Sequence, residues 1–179
     1  MKKKAESTFH RLEQQRKGVM SLYDSLAAEQ RTFQPEPGAW NLLQVMQHLV
    51  TAEKQSLTYI KRKMERRQDL SPAGAGARMR HLLLRIALFL PLKFKAPKIA
   101  DVSDTAPDYA EMKQEWQAVR EEMAQMISSA DEEMLGKALY RHPRAGMLNL
   151  VQALEFFYTH IAHHQKQMRR ILDASRFPS

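Results

Sequence analysis

The sequence predicts an all-α fold, a four-helix bundle, on three observations. Ala, Leu, Met, Gln, Glu, Lys and Arg dominate the 179 residues and only 6 are Gly, a bias that summed over long windows favours helix over strand. Apolar residues recur at spacings of three, four and seven along four long stretches, each one stripe on a helix. Clusters of Pro and Gly separate those stretches. Four long helices with short or ordered connections pack most simply around one core, and the length suits a single domain over residues 1–179.

The first helix is expected from about Ser7 to Thr32, with Phe9, Leu12, Val19, Leu22, Tyr23 and Leu26 on one stripe. Pro35, Pro37 and Gly38 then break the chain. The second helix starts near Trp40-Asn41 and reaches about Arg67 through Leu42, Val45, Met46, Leu49, Leu57 and Ile60, and Ser71-Pro72-Ala73-Gly74-Ala75-Gly76 ends it. A short extra helix, Met79 to Leu90, is expected in the connection that follows, stopped by Pro91 and leading into a Pro-flanked loop. The third helix begins after Asp104-Thr105-Ala106-Pro107, where a Pro near the first turn costs little, and runs to about Ser129, with a shorter piece at Glu132 to Ala138. His142-Pro143-Arg144-Ala145-Gly146 reads as a turn, and the fourth helix runs from about Leu148 to Ala174.

Cys is absent, which excludes disulfides, thiolate metal sites and cysteine nucleophiles. The metal-capable side chains left are seven His and the carboxylates, so any site uses nitrogen or oxygen ligands. Met1-Lys2-Lys3-Lys4 lacks the apolar run of a secretory signal. No window approaches the roughly 20 apolar residues of a membrane span, so a cytoplasmic protein is expected. The net charge of +8 is uneven: Lys61, Arg62, Lys63, Arg66 and Arg67 crowd one segment, Arg78, Arg80, Arg85, Lys93, Lys95 and Lys98 the next, and no acid lies between Asp69 and Asp101. A solvated basic flank is the plainer account, and nucleic acid is not an expected partner. The 78–98 stretch is amphipathic enough to lie on an anionic membrane, but a cap on the bundle or a homodimer interface is the expectation favoured. The eleven Met are spread over all helices and read as core filler.

The chemistry concentrates in the fourth helix, in Tyr158-Thr159-His160-Ile161-Ala162-His163-His164-Gln165-Lys166-Gln167. Residues four apart share a helical face, so His160 and His164 can direct both imidazoles at one ion. His164 falls within the apolar stripe of Leu150, Leu154, Phe157, Ile161, Met168 and Leu172, and His160 sits at its edge. His163 lies farther round and is the weaker ligand. A third ligand has to come from another helix, and His48, beside the stripe of the second helix, is the best candidate. His10 lies on the terminal helix, His81 on the basic insert and His142 in a turn. His163 and Gln167 are candidates to orient a ligand imidazole from outside. Glu53, five residues after His48 and roughly a quarter turn off its face, is a weaker candidate for a base or acceptor at the site; a solvated carboxylate is the plainer account.

Three segments together resemble the DinB-like, YfiT-type metal-binding proteins. Trp40-Asn41-Leu42-Leu43-Gln44-Val45-Met46-Gln47-His48-Leu49 is similar to that family's Trp-polar-x-x-x-Val-x-x-His-Leu segment. His142-Pro143-Arg144-Ala145-Gly146-Met147-Leu148 resembles its His-Pro-x-x-Gly-x-Leu approach to the last helix, and His160-x-x-His163-His164-x-x-Gln167 its closing His-x-x-His-His-x-x-Gln. The resemblance spans Trp40 to Ile171 and departs at Gln152-Ala153-Leu154, where the family often has Glu-Trp-Leu. It implies a four-helix bundle holding nickel, zinc or a similar ion through His48, His160 and His164. It further implies a metal-dependent hydrolase or a transferase of a low-molecular-weight thiol, acting on a small molecule; no catalytic residue beyond the metal ligands is assigned. The competing expectation is a non-catalytic bundle that binds an anionic surface or partner through residues 61–98.

Overall fold

A computed structural model of the chain describes residues 1–74, 76, 79, 80, 82, 83 and 108–179, and of Asp69 the backbone alone. Helix α1, Lys2–Asp24, starts five residues before the expected Ser7. Its first turn is held from across the molecule: the Met1 ammonium and the Lys2 backbone N–H both donate to Glu132, and Lys2 Nζ reaches the carbonyls of Ser128 and Ala130. The helix also stops earlier than expected, and a separate short α2, Ala28–Thr32, follows. Ser25 Oγ donates to the Leu22 carbonyl at 2.7 Å and Arg31 Nη1 to the Tyr23 carbonyl at 2.9 Å. Side chains thus satisfy carbonyls that another helical turn would otherwise have used.

Helix α3, Leu42–Glu65, begins with a capping box in which Asn41 Oδ1 accepts from Gln44 N at 2.8 Å and Gln44 Oε1 from Asn41 N at 3.0 Å. A 3-10 turn, Arg67–Asp69, closes it. Helix α4, Tyr109–Ser129, is capped by Asp108, and the short α5, Glu132–Gly136, by Asp131. The expected turn at 142–146 is the tip of a small antiparallel hairpin, β1 Tyr140–His142 and β2 Gly146–Leu148, with Tyr140 opposite Leu148. Gly146 takes φ +68°, a conformation side-chain-bearing residues adopt at a cost. Helix α6, Leu150–Leu172, repeats the Asn-x-x-Gln box of α3 with Asn149 and Gln152. Of the helix expected over Met79 to Leu90, the described residues Met79, Arg80, Leu82 and Leu83 are helical; the rest, and the loop to Lys98, lie outside the described residues.

Cross-helix pairs fix the topology. Lys4 meets Glu155 and Gln15 meets Gln165, so α1 and α6 run parallel. Lys54 meets Glu115 and Lys61 meets Glu122, so α3 and α4 also run parallel. Lys2 with Ser128 and Asp24 with Lys113 make α1 and α4 antiparallel. His48 meets His160 and His164, while Ser56, two turns on, meets Tyr140 just ahead of α6, so α3 and α6 are antiparallel. The order around the bundle is α1, α4, α3, α6, in an up-down-down-up sense. Because α3 and α4 are parallel, the end of α3 and the start of α4 lie at opposite ends of the bundle. The hairpin and α5 sit at the end where α6 begins.

Leu12, Tyr23, Met46, Leu49, Trp116 and Phe157 are among the side chains that fill the centre, each 1% exposed or less. A chain of alternating charges crosses that core. Glu53 accepts from Trp116 Nε1 at 2.8 Å and from Arg120 Nη2 at 2.7 Å. Arg120 lies 3.7 Å from Glu13, which in turn takes a two-pronged contact from Arg16. Among the described residues no helix is long and apolar enough to cross a membrane.

Candidate metal centre

The centre lies in the α3–α6 seam and is built by two helices that start alike. The Asn41 box fixes the entry of α3, and His48 follows in its second turn, buried, with the half-buried Trp40 ring tilted against it at 5.2 Å between centroids. On α6, His160 and His164 stand one turn apart, as the spacing predicted. The Nε2 atoms converge: His48 to His160 is 3.2 Å and His160 to His164 is 3.1 Å, with all three inside 4.8 Å. Among the described residues they are the one group of His, Cys or carboxylate side chains close enough to share an ion.

The spacing suits a metal. Three nitrogens at ordinary Zn–N lengths in a tetrahedral arrangement stand about 3.3 Å apart, close to the two separations found. Hydrogen bonding alone serves the cluster poorly. His164 Nδ1 lies 2.8 Å from Gln167 Oε1, and an amide oxygen there only accepts, so the ring proton sits on Nδ1 and leaves Nε2 as a lone pair. His160 Nε2 faces both His48 Nε2 and His164 Nε2 and carries at most one proton to share between them.

The electrostatics favour neutral imidazoles. Burial, reinforced by the His164 and His48 rings, holds His160 well below the ordinary histidine value. Burial also pushes His164 down, to about 3, with His48 adding to the effect and the Gln167 hydrogen bond opposing it. Neutral rings are the form that ligates. Aromatic groups wall the site: Phe156 stacks on His160 at 5.3 Å with 18° between planes, and His142 meets the Phe156 ring edge-on at 4.4 Å.

The other sequence candidates fall in distinct places. Gln167 touches the site through His164. His163 is half-buried with its ring 5.2 Å from that of His164, nearly perpendicular, and does not join the converging group. Glu53 is turned away. Five residues advance about 140° round a helix, more than the expected quarter turn, so while His48 faces α6 the Glu53 carboxylate faces α4 and is taken by Trp116 and Arg120. Burial pushes that carboxyl up, Arg120 and then Trp116 pulling the other way. His10 lines a groove between α1 and α4, away from the seam, and His81 lies outside the described residues. Sequence reasoning left Trp40, His142 and Phe156 out of the site. His142 Nδ1 accepts from the Arg144 and Ala145 amides at 3.1 and 3.0 Å, so its turn-forming role was legible in its motif; its contact with Phe156 was not.

Comparisons with known proteins agree with this architecture. The crystal structure of TT2238, a four-helix bundle protein, superposes with a TM-score of 0.58 at 21% identity, covering 92% of this chain and 98% of that one, which shows a shared fold. No curated protein matches the chain. The family model described as DinB superfamily matches residues 11–168, a stretch that holds all three converging histidines, and the chain belongs to the DinB superfamily.

Proposed function

We propose that the chain is a metal-dependent enzyme whose centre is a divalent ion, nickel or zinc, held by His48, His160 and His164. The observation that carries this is the convergence of three Nε2 atoms, two pairs at 3.1 and 3.2 Å, on helices far apart in sequence. Three nitrogen ligands leave at least one position open, which is how catalytic sites differ from closed structural ones. When bound, such an ion supplies a Lewis acid that lowers the pKa of a water or thiol. The chain's own part is to keep the imidazoles neutral by burial, to fix the His164 tautomer through Gln167, and to exclude water with Phe156 and Trp40. The ligand set is also uncharged, with no carboxylate in the group among the described residues, so an anionic partner at the open position meets uncompensated positive charge. That supports transfer of a low-molecular-weight thiol to an electrophile, or hydrolysis, as the reaction class.

Calorimetric titration of metal-free protein with zinc and with nickel tests the site. One ion per chain is expected, and His160→Ala should weaken binding beyond the roughly 10–100-fold that loss of an outer partner costs. Unchanged affinity in the variant overturns the site. Thiol addition to a chromogenic electrophile, abolished by a chelator and restored by metal, tests the reaction; turnover indifferent to the chelator overturns it.

A further inference from the structure

Each of the three converging histidines is met by a further side chain that bears on its ring. His164 Nδ1 faces Gln167 at 2.8 Å, and the Trp40 ring is tilted against His48 at 5.2 Å. His160 makes its hydrogen-bonding contacts through Nε2, toward the other two histidines. Outside that cluster, the ring that bears on it among the described residues is Phe156, one turn earlier on α6 and nearly parallel, at 18°. A stacked ring sets the plane of an imidazole only as firmly as it is itself held.

The hairpin does that holding. In β1 the exposed Arg141 separates Tyr140 and His142, so the two buried side chains leave the same face of the strand. Both arrive at Phe156: Tyr140 stacks on it at 6.0 Å with 22° between planes, and His142 meets it edge-on at 4.4 Å and 70°. His142 is locked in turn. Its Nδ1 accepts from the Arg144 and Ala145 amides at 3.1 and 3.0 Å, so its ring proton sits on Nε2 and the ring cannot turn without losing two hydrogen bonds. The tip is clasped from outside by Arg80, whose Nε donates to the Ala145 carbonyl at 2.8 Å. His142 is not in the converging group, and with Nδ1 engaged its action on an ion is indirect. We infer that His142 is a positioning residue of the metal centre, setting the His160 ring through Phe156. This rests on the reading of His48, His160 and His164 as metal ligands. The path from ring to ring takes the place of the outer hydrogen bond that orients most ligating histidines.

The test uses cobalt(II), whose visible absorption reports the geometry of the ligand set as well as its occupancy. In His142→Asn the Asn Oδ1 stands where Nδ1 stood and keeps an acceptor for the turn amides, but the ring is gone. This variant should raise the cobalt dissociation constant about 10–100-fold and alter the visible band, with the circular dichroism of the metal-free protein unchanged. Phe156→Leu should do the same, and adding His142→Asn to it should cost no more than about twofold further, because the histidine acts through a ring already removed. Phe156→Tyr keeps the ring and should bind as wild type does. Wild-type affinity and band in either His142→Asn or Phe156→Leu overturn the inference. So does a full further loss in the double variant, which marks a path around Phe156. A His142→Asn protein that melts lower without metal yet keeps the wild-type band assigns the residue to hairpin stability alone and overturns it too. His160→Ala separates this inference from the reading beneath it. Cobalt held by that variant as tightly as by wild type, or not taken up by wild type, removes the metal site and the inference with it. Binding lost in His160→Ala but intact in His142→Asn removes the inference alone.

Discussion

At the residue scale, the clearest handle on the metal centre is Gln167. Its amide oxygen holds the proton of His164 on Nδ1 and so turns Nε2 toward the other two histidines. Gln167→Leu removes the acceptor without touching a ligand and should raise the zinc dissociation constant about 10–100-fold. Gln167→Glu keeps an acceptor at the same reach and should restore most of the affinity. Competition with a zinc-sensitive chelator reads both, and equal affinity for wild type and the Leu variant would remove Gln167 from the site. The same residues predict an acid dependence in metal-free protein. His160 and His164 have folded-state values below 6.5, so the unfolded chain binds the extra protons first. Their stability contribution is whole above about 6.5 and falls away as pH drops toward the folded values, at up to about 1.4 kcal/mol per pH unit for each ring. Urea midpoints of the metal-free protein should therefore decline below pH 6.5, and His160→Leu should flatten the decline; an unchanged slope would refute it.

At the element scale, α3 is shared between two neighbours that make opposite demands on it. His48 is given to α6, whereas Glu53 is given to α4 through a pair in which both partners are 1% exposed. A buried carboxylate left without its guanidinium is costly, so Arg120→Met alone should destabilise by about 3–5 kcal/mol, while Glu53→Leu with Arg120→Met should recover most of that loss. Chemical denaturation of the three proteins checks it; additive losses in the double variant would show that the pair is not a unit. This seam also shows what sequence reasoning reaches. The starts of α3 and α6, at Leu42 and Leu150, fall within about two residues of those expected, and each is set by a local device, Asn41 and Asn149 capping with residues three positions on. The start of α1 was not legible, because its partner is Glu132 from another corner of the fold. Three-residue strands at 140–142 and 146–148 are too short to show alternation, and the break after Asp24 depends on the contact Arg31 makes with a carbonyl eight residues back. Glu53 misled for another reason: five residues advance about 140° and not a quarter turn, so helical geometry alone already carries it off the His48 face, and packing decides only that α4 claims it.

At the scale of the whole molecule, the His160–His164 pair was legible from one turn of spacing, and His48 from position beside its stripe and from family resemblance. The parallel run of α3 with α4 was not, since it rests on pairs such as Lys54 with Glu115, 61 residues apart. That topology gives the metal a long-range role, because the ion would join α3 to α6 across 112 residues of sequence. A ligand that binds only the folded form stabilises it by about 2.7 kcal/mol at a hundredfold excess over its dissociation constant. For a chain of this size each kcal/mol moves the melting temperature by about 2–4 °C, so zinc or nickel should raise it by roughly 5–10 °C, and a chelator should reverse the rise. His160→Ala should show no such rise. Arg120→Met should melt lower yet gain the same increment, because the α3–α4 ion pair and the α3–α6 histidines share no partner. A metal-induced shift that persists in His160→Ala would place the ion elsewhere. A shift lost in Arg120→Met would mean that the two seams of α3 act as one.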